Sequence, residues 1–201
     1  MSKRTSPRPR APRAEACSWS ASDPLMEKYH DHEWGMPVCN DKKIFEFLVL
    51  ESAQAGLSWR TILYKREGYR KAFANFDPKK VARFKKTHVA KLIKNPKIVR
   101  NRLKILATVN NAKRFLEVQR EFGTFSKYMW SFVKNKPIVG KRKHLKHLPA
   151  MTRESDVFSK DLKVRGFKFL GSTIVYAHMQ AVGMVNDHVQ TCFRYKELKR
   201  L

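Results

Sequence analysis

From Cys17 onward the apolar residues recur with helical period, and no stretch alternates with period two between turn dipeptides. Ile105, Val109, Ala112 and Leu116 mark one face of a long helix predicted over about Asn101–Phe122. Asp77-Pro78 reads as an N-cap followed by proline at the first helical position. Ser155 to Arg165 carries Phe158 and Leu162 on one side and stops at Gly166, a C′ glycine. Ser172–Val185 is the most apolar stretch and reads as a buried helix. His178, Gln180 and Gly183 interrupt it, well short of the ~20 apolar residues that span a bilayer. The pattern specifies an all-α fold without internal repeats.

Charge narrows the partners. The 201 residues hold 43 Lys and Arg against 17 Asp and Glu, a formal net charge of +26. Self-repulsion on that scale favours a polyanionic partner, nucleic acid or an anionic membrane surface. The apolar stripes are needed for a core, which argues against a membrane-surface helix. Residues 1–16 stand apart: Lys3, Arg4, Arg8, Arg10 and Arg13 alternate with Pro7, Pro9 and Pro12, and the first acid is Glu15. Such a segment buries no apolar area and is expected to be a disordered basic tail. Non-specific DNA affinity, a transit peptide and a plain solvated tail all remain open for it. Residues 17–201 then form a single helical domain. Three cysteines, without a signal peptide, argue against a disulfide scaffold and for a reducing compartment, the cytoplasm.

Two of those cysteines pair with histidines at opposite ends of the domain. Cys17 and His30 lie near its start, and His188 and Cys192 form H-x-x-x-C near its end, a spacing expected to share one helical face. Thiolate and imidazole are zinc donors, and a closed two-Cys, two-His tetrahedron leaves no site for water. Such an ion is structural and contributes on the order of 10 kcal/mol in small models. It would tie the first ordered residues to the last. On spacing alone, Cys39 and His32 are alternative ligands.

One carboxylate sits where a carboxylate is costly. In Lys43–Gly56, Ile44, Leu48, Glu51 and Ala55 fall within about 40° of one another on a helix. Burying ionised Glu51 costs several kcal/mol unless it is paired or faces a ligand. Glu46, by contrast, is expected at a solvent edge. Trp59 follows two turns after Glu51, and Tyr29 and Trp34 flank His30. Aromatics beside a carboxylate suit a flat cationic ligand.

Five segments in order carry a family resemblance: C-S-W at Cys17–Trp19, D-P-L-M-E-K-Y-H-D-H-E-W-G at Asp23–Gly35, L-E-S-A-Q-A-G-L-S-W at Leu50–Trp59, R-G-F-K-F-L-G-S-T-I at Arg165–Ile174, and V-N-D-H-V-Q-T-C at Val185–Cys192. Together they resemble the 3-methyladenine DNA glycosylase I family, over essentially Cys17 to Cys192. The resemblance implies an all-helical helix-hairpin-helix glycosylase with a base pocket between two helical lobes. It selects Cys17, His30, His188 and Cys192 as ligands of one structural zinc. It makes Glu51 the catalytic carboxylate that hydrogen-bonds the base, with Tyr29 holding that base, Trp59 stacking on it and Trp19 as a further wall. The family's tyrosine is replaced by Met26, which still packs on a ring face.

The implied activity is base-excision repair: hydrolysis of the N-glycosidic bond of 3-methyladenine in double-stranded DNA by a monomeric, monofunctional enzyme. No G-P-D tract and no Schiff-base lysine are seen, which fits the absence of strand cutting. A bacterial, nucleoid-associated location follows from the same resemblance. Lys94, Lys97, Arg100, Arg102 and Lys104 are the expected phosphate contacts, in a hairpin placed at Leu92–Leu103 that lacks the usual glycines. Two other classes compete. A non-catalytic zinc-stabilised DNA-binding relative would keep the fold with a changed pocket, and a zinc hydrolase would need an open coordination position.

Overall fold

Side-chain caps set where the helices begin. In the computed structural model, which describes residues 16–200, Asp23 accepts from the backbone amides of Leu25 and Met26 and starts α1 (Pro24–His32). Asn40 caps α2 (Asp41–Gln54) and Ser58 caps α3 (Trp59–Ala72) through the same geometry. Asp77 with Pro78 opens the short α4 (Pro78–Val81), as the dipeptide predicts. The chain continues through α5 (Lys86–Ile93), α6 (Arg102–Phe122) and α7 (Phe125–Ser131) to α8 (Arg153–Val164), α9 (Ser172–Ala181) and α10 (Phe193–Leu198). The expected basic tail lies outside the described residues, apart from Ala16.

Helix α2 is the centre of the molecule. Every residue from Ile44 to Ala53 is buried, because α3, α6, α7 and α9 pack around it. Phe45 meets Phe115 edge-on at 5.2 Å, and Phe115 stacks on Phe125 at 4.1 Å, tying α2 to α6 and α7. Each such ring contributes roughly 2–3 kcal/mol by burial. Asp41 fixes the same joint, accepting from the amides of Phe125 and Ser126 and from Gln119.

The described residues are mostly helical, in agreement with the sequence pattern, and α6 begins one residue after the Asn101 cap. Four particulars differ. Leu116 is only half-buried, and Phe115 and Val118 take the inner positions beyond Ala112, because a 3.6-residue period drifts across a long stripe. A two-residue parallel pairing occurs, β1 (Ile138–Val139) with β2 (Val185–Asn186), too short to leave an alternating pattern. The apolar run from Ser172 stops being helical at Ala181, and Gly183 (φ +73°) turns the chain into β2. Its Cβ position would fall 2.3 Å from the Met36 carbonyl carbon, so only glycine fits there.

The fourth difference concerns Leu92–Leu103. That segment holds the end of α5, a non-helical connection and the first turn of α6. It is pinned to α3, where the Val99 amide donates to the Tyr69 hydroxyl and Gly68 leaves room for the Lys97 carbonyl. A glycine-bounded connection between two intimately packed helices lies elsewhere, from Gly166 to Gly171 between α8 and α9. Asn111 of α6 clasps it, exchanging hydrogen bonds with the Lys168 amide and carbonyl at 2.8 Å each.

Candidate active site and metal cluster

Four donors from the two ends of the domain meet inside the protein. Cys17, His30, His188 and Cys192 are all buried, with their donor atoms within 4.8 Å of one another. His188 Nδ1 lies 3.1 Å from His30 Nε2, 3.5 Å from Cys192 Sγ and 3.7 Å from Cys17 Sγ. Cys192 Sγ is 3.5 Å from His30 Nε2. A tetrahedron with metal–nitrogen bonds of about 2.0–2.1 Å and metal–sulfur bonds of about 2.3 Å places its nitrogens about 3.3 Å apart and sulfur from nitrogen about 3.6 Å. The cluster fits those edges.

Outer hydrogen bonds turn the right nitrogens inward. His30 Nδ1 meets Asp31 Oδ1 at 2.7 Å and His188 Nε2 meets the Trp34 carbonyl at 3.1 Å, leaving the opposite nitrogens to face the cluster. The hydrogen bond to Cys192, then burial, pushes the Cys17 thiol far up; the same bond holds Cys192 low, as two adjacent sulfurs sharing a proton require. His188 and Cys192 do not share a helical face. They lie on a turn between β2 and α10, closed by the Cys192 amide donating to the Val189 carbonyl, while the Gln190 amide is taken by the Arg142 carbonyl and not by a helical partner. Cys39 is exposed and His32 exposed, so neither joins the cluster.

Beside the cluster lies a cavity of about 310 Å³, walled by Trp19, Met26, Tyr29, Trp34, Glu51 and Trp59, with Gln54, Leu148, Ala177 and Gln180 completing it. All of the base-pocket residues expected from sequence are therefore in one place. The caps explain how. Asp23 starts α1 and also accepts from Arg60 Nε at 2.5 Å, which locks the start of α1 against the start of α3. Tyr29 and Trp59 consequently share a wall, their rings 5.2 Å apart. Trp19, on the 3₁₀ turn after Cys17, meets Tyr29 at 6.4 Å and Trp34 edge-on at 5.2 Å.

Glu51 is 3% exposed, and burial raises its pKa to about 8. Its Oε2 has no hydrogen-bond partner, and the buried Trp59 Nε1 has none either. An acceptor and a donor left unpaired on a cavity wall are costly to the empty protein and available to a ligand. Burial, then the nearby Glu51, pushes the Tyr29 hydroxyl well above its ordinary value, so it stays protonated as a donor. Glu46 is the contrasting case and corrects the sequence reading. It is 3% exposed and paired, accepting from Arg66 Nε at 2.8 Å and Arg70 at 2.7 Å. One helix thus buries two carboxylates, one satisfied by α3 and one left free.

The basic candidates divide. Lys94, Lys97, Arg100 and Arg102 are exposed around the α5–α6 connection. Lys104 has its ammonium on the carbonyls of Ala53 and Ala55, at 2.8 and 2.5 Å, where it caps the helix that carries Glu51. Two of its three protons are thereby committed to the fold. Sequence reasoning did not single out Gln180 or Gln54 as wall residues; the one available signal was the polar break that Gln180 makes in an apolar run.

Comparison with known proteins agrees with this geometry. A family model described as methyladenine glycosylase matches residues 19–195. The chain is 48% identical to DNA-3-methyladenine glycosylase 1 of Escherichia coli (strain K12), over 90% of this chain and 97% of that protein. It is 44% identical to the DNA-3-methyladenine glycosylase of Haemophilus influenzae, over 88% and 95%. Among solved structures, a crystal structure of 3-methyladenine DNA glycosylase I superposes with a TM-score of 0.86 at 45% identity, covering 89% of this chain and 98% of the other. The Staphylococcus aureus 3-methyladenine DNA glycosylase I, solved to explain 3-methyladenine recognition, gives 0.86 at 40% identity, covering 89% and 95%.

Proposed function

The chain belongs to the methyladenine glycosylase family, and we propose on that premise that it releases 3-methyladenine from DNA by hydrolysing the N-glycosidic bond. The observation that carries the reading is Glu51 Oε2, buried without a partner in an aromatic cavity. A purine fits against the wall that Tyr29 and Trp59 share, with the thioether of Met26 and the Trp19 ring beside it.

The chemistry asks little of the protein beyond binding. A base methylated at N3 is cationic while attached to the sugar. The N9–C1′ bond breaks with its electron pair moving to the base, which leaves neutral and needs no general acid. Water adds at C1′ and gives its proton to solvent. In the empty cavity Glu51 holds a proton at neutral pH, because burial raises its pKa to about 8. A cationic base favours the carboxylate instead, so binding selects the methylated cation over neutral adenine. Tyr29 and Trp59 Nε1 supply the donors on the same wall.

The Cys17, His30, His188 and Cys192 cluster fits zinc by donor type and spacing. With four protein ligands, the ion when bound supplies a cross-link between the chain ends and no reactive water. That argues against a zinc hydrolase. We take residues 17–201 as one monomeric domain of the helix-hairpin-helix kind, its hairpin being Gly166–Gly171. The α9 amides that follow the uncapped Gly171 and the exposed Lys94, Lys97, Arg100 and Arg102 would meet duplex phosphates. A cytoplasmic, nucleoid-bound enzyme accords with this. No helix among the described residues is long and apolar enough to cross a membrane.

The test is release of free 3-methyladenine from methylated duplex DNA under single-turnover conditions. Wild type should release it and Glu51→Gln should lose most of that rate. Binding of the duplex without release by wild type would instead favour a non-catalytic relative.

A further inference from the structure

Gln180 reaches the cavity from α9 and is held rigidly from behind. Its Nε2 donates to Asp187 Oδ2 at 2.9 Å. The same oxygen accepts the Tyr176 hydroxyl, and Oδ1 takes Arg142 Nε at 3.4 Å. Asp187 is 1% exposed. Its place is made by Gly140, where a Cβ would stand 2.3 Å from Oδ1, and Gly140 is delivered there by the β1–β2 pairing. The backbone of Gln180 is fixed as well, its carbonyl accepting the Gly35 amide at 3.0 Å.

A carboxylate only accepts hydrogen bonds. The edge of the Gln180 amide turned towards Asp187 is therefore its NH₂ edge, and a flip would set two oxygens against each other. Oε1 is the edge left over. It has no partner among the described residues and is not fully buried, on a residue that lines the cavity. Glu51 Oε2 is a further unpartnered acceptor on this wall.

We propose that Gln180, oriented by Asp187, is a specificity-determining acceptor that selects a purine with an amine at C6 over one with a carbonyl there: 3-methyladenine over 3-methylguanine. An amine at C6 donates to Oε1. A carbonyl there opposes it lone pair to lone pair, and a site built to hydrogen-bond one group rejects the analogue that lacks the donor. Gln180 would touch the base, and Asp187 is a positioning residue acting through it. The inference rests on the glycosylase reading above.

The experiment uses duplex DNA carrying both lesions, incubated with the full zinc-loaded chain, with the two free bases separated by chromatography. Wild type should prefer 3-methyladenine. Gln180→Leu removes the acceptor, and Asp187→Asn frees the amide to rotate; each should lower the ratio of the two release rates by at least about tenfold. A merely structural role for Asp187 would slow both releases together and leave the ratio unchanged. Melting temperature and zinc content check each variant, and should Asp187→Asn fail to fold, the partly exposed Gln180→Leu decides. No preference in wild type, or a ratio unmoved by Gln180→Leu, overturns the proposal. Failure of wild type to release 3-methyladenine from the same DNA overturns the glycosylase reading instead.

Discussion

His30 Nε2 and His188 Nδ1 face each other at 3.1 Å across 158 residues of chain. Nothing in the local helices requires this approach; Asp31 and the Trp34 carbonyl turn the two rings so that their lone pairs converge with the sulfurs of Cys17 and Cys192. Without an ion, four buried donors crowd one another, and with one they close the domain as a loop.

Substituting one sulfur tests that closure. Cys192→Ala should lower zinc content below one per chain and reduce the melting temperature on the order of 10 °C, as expected for several kcal/mol in a chain of this size. Elemental analysis alongside thermal melting gives the answer. Full zinc and an unaltered melting temperature would sink the staple.

Glu51 should trade stability for binding. Its carboxyl keeps its proton up to about pH 8 in the native protein, whereas an unperturbed one loses it near 4.5. Stability is therefore lost as pH rises between those values, by up to roughly 5 kcal/mol at about 1.4 kcal/mol per pH unit. Glu51→Gln should melt above wild type at pH 8–9 while its base release collapses. Equal melting of the two proteins across that range would contradict the buried-carboxyl account.

His178 carries the opposite dependence. Both ring nitrogens are buried without partners, and burial lowers its pKa to about 3 from 6.5. The unfolded chain takes up a proton below pH 6.5 and the native one does not, so stability falls as pH drops from there towards 3. His178→Phe, similar in shape and without polar atoms, should flatten the acid side of the stability curve. Denaturant melts at pH 4 and pH 7 would reveal it; an unchanged difference between the two would refute the assignment.

Phosphate contact predicts a salt signature. Replacing Lys94, Lys97, Arg100 and Arg102 together by alanine should reduce the slope of log affinity against log salt by about 3–4, at roughly 0.9 per contact. Saturating single-turnover release should persist, since none of the four lines the cavity. Undiminished affinity at low salt would remove this segment from the DNA surface.

Much of the fold was legible because it rests on short-range rules. Asp77 is a cap whose side chain reaches the amides two and three residues on, so its identity ahead of Pro78 states the helix start. Gly166 at φ +82° ends α8 for the equally local reason that left-handed backbone favours glycine. Glu51 could be recognised as misplaced from the residues three and four positions away. Glu46 could not be recognised as buried, because what satisfies it, Arg66 and Arg70, comes from another helix. The H-x-x-x-C spacing likewise reads as helical, and what makes it a turn instead is a distant partner, the Arg142 carbonyl that takes the Gln190 amide.

The sequence by itself determined that the chain is helical, that it is strongly basic, and that one carboxylate and two Cys–His pairs need an explanation. Periodicity, charge and ligand type are properties of residues and their near neighbours. Tertiary structure decided which carboxylate stays unpaired, that Lys104 caps the helix bearing Glu51, and that Asp187 faces Gln180 across a turn. Those outcomes depend on packing between distant segments, where a change of a few ångströms makes or removes a hydrogen bond.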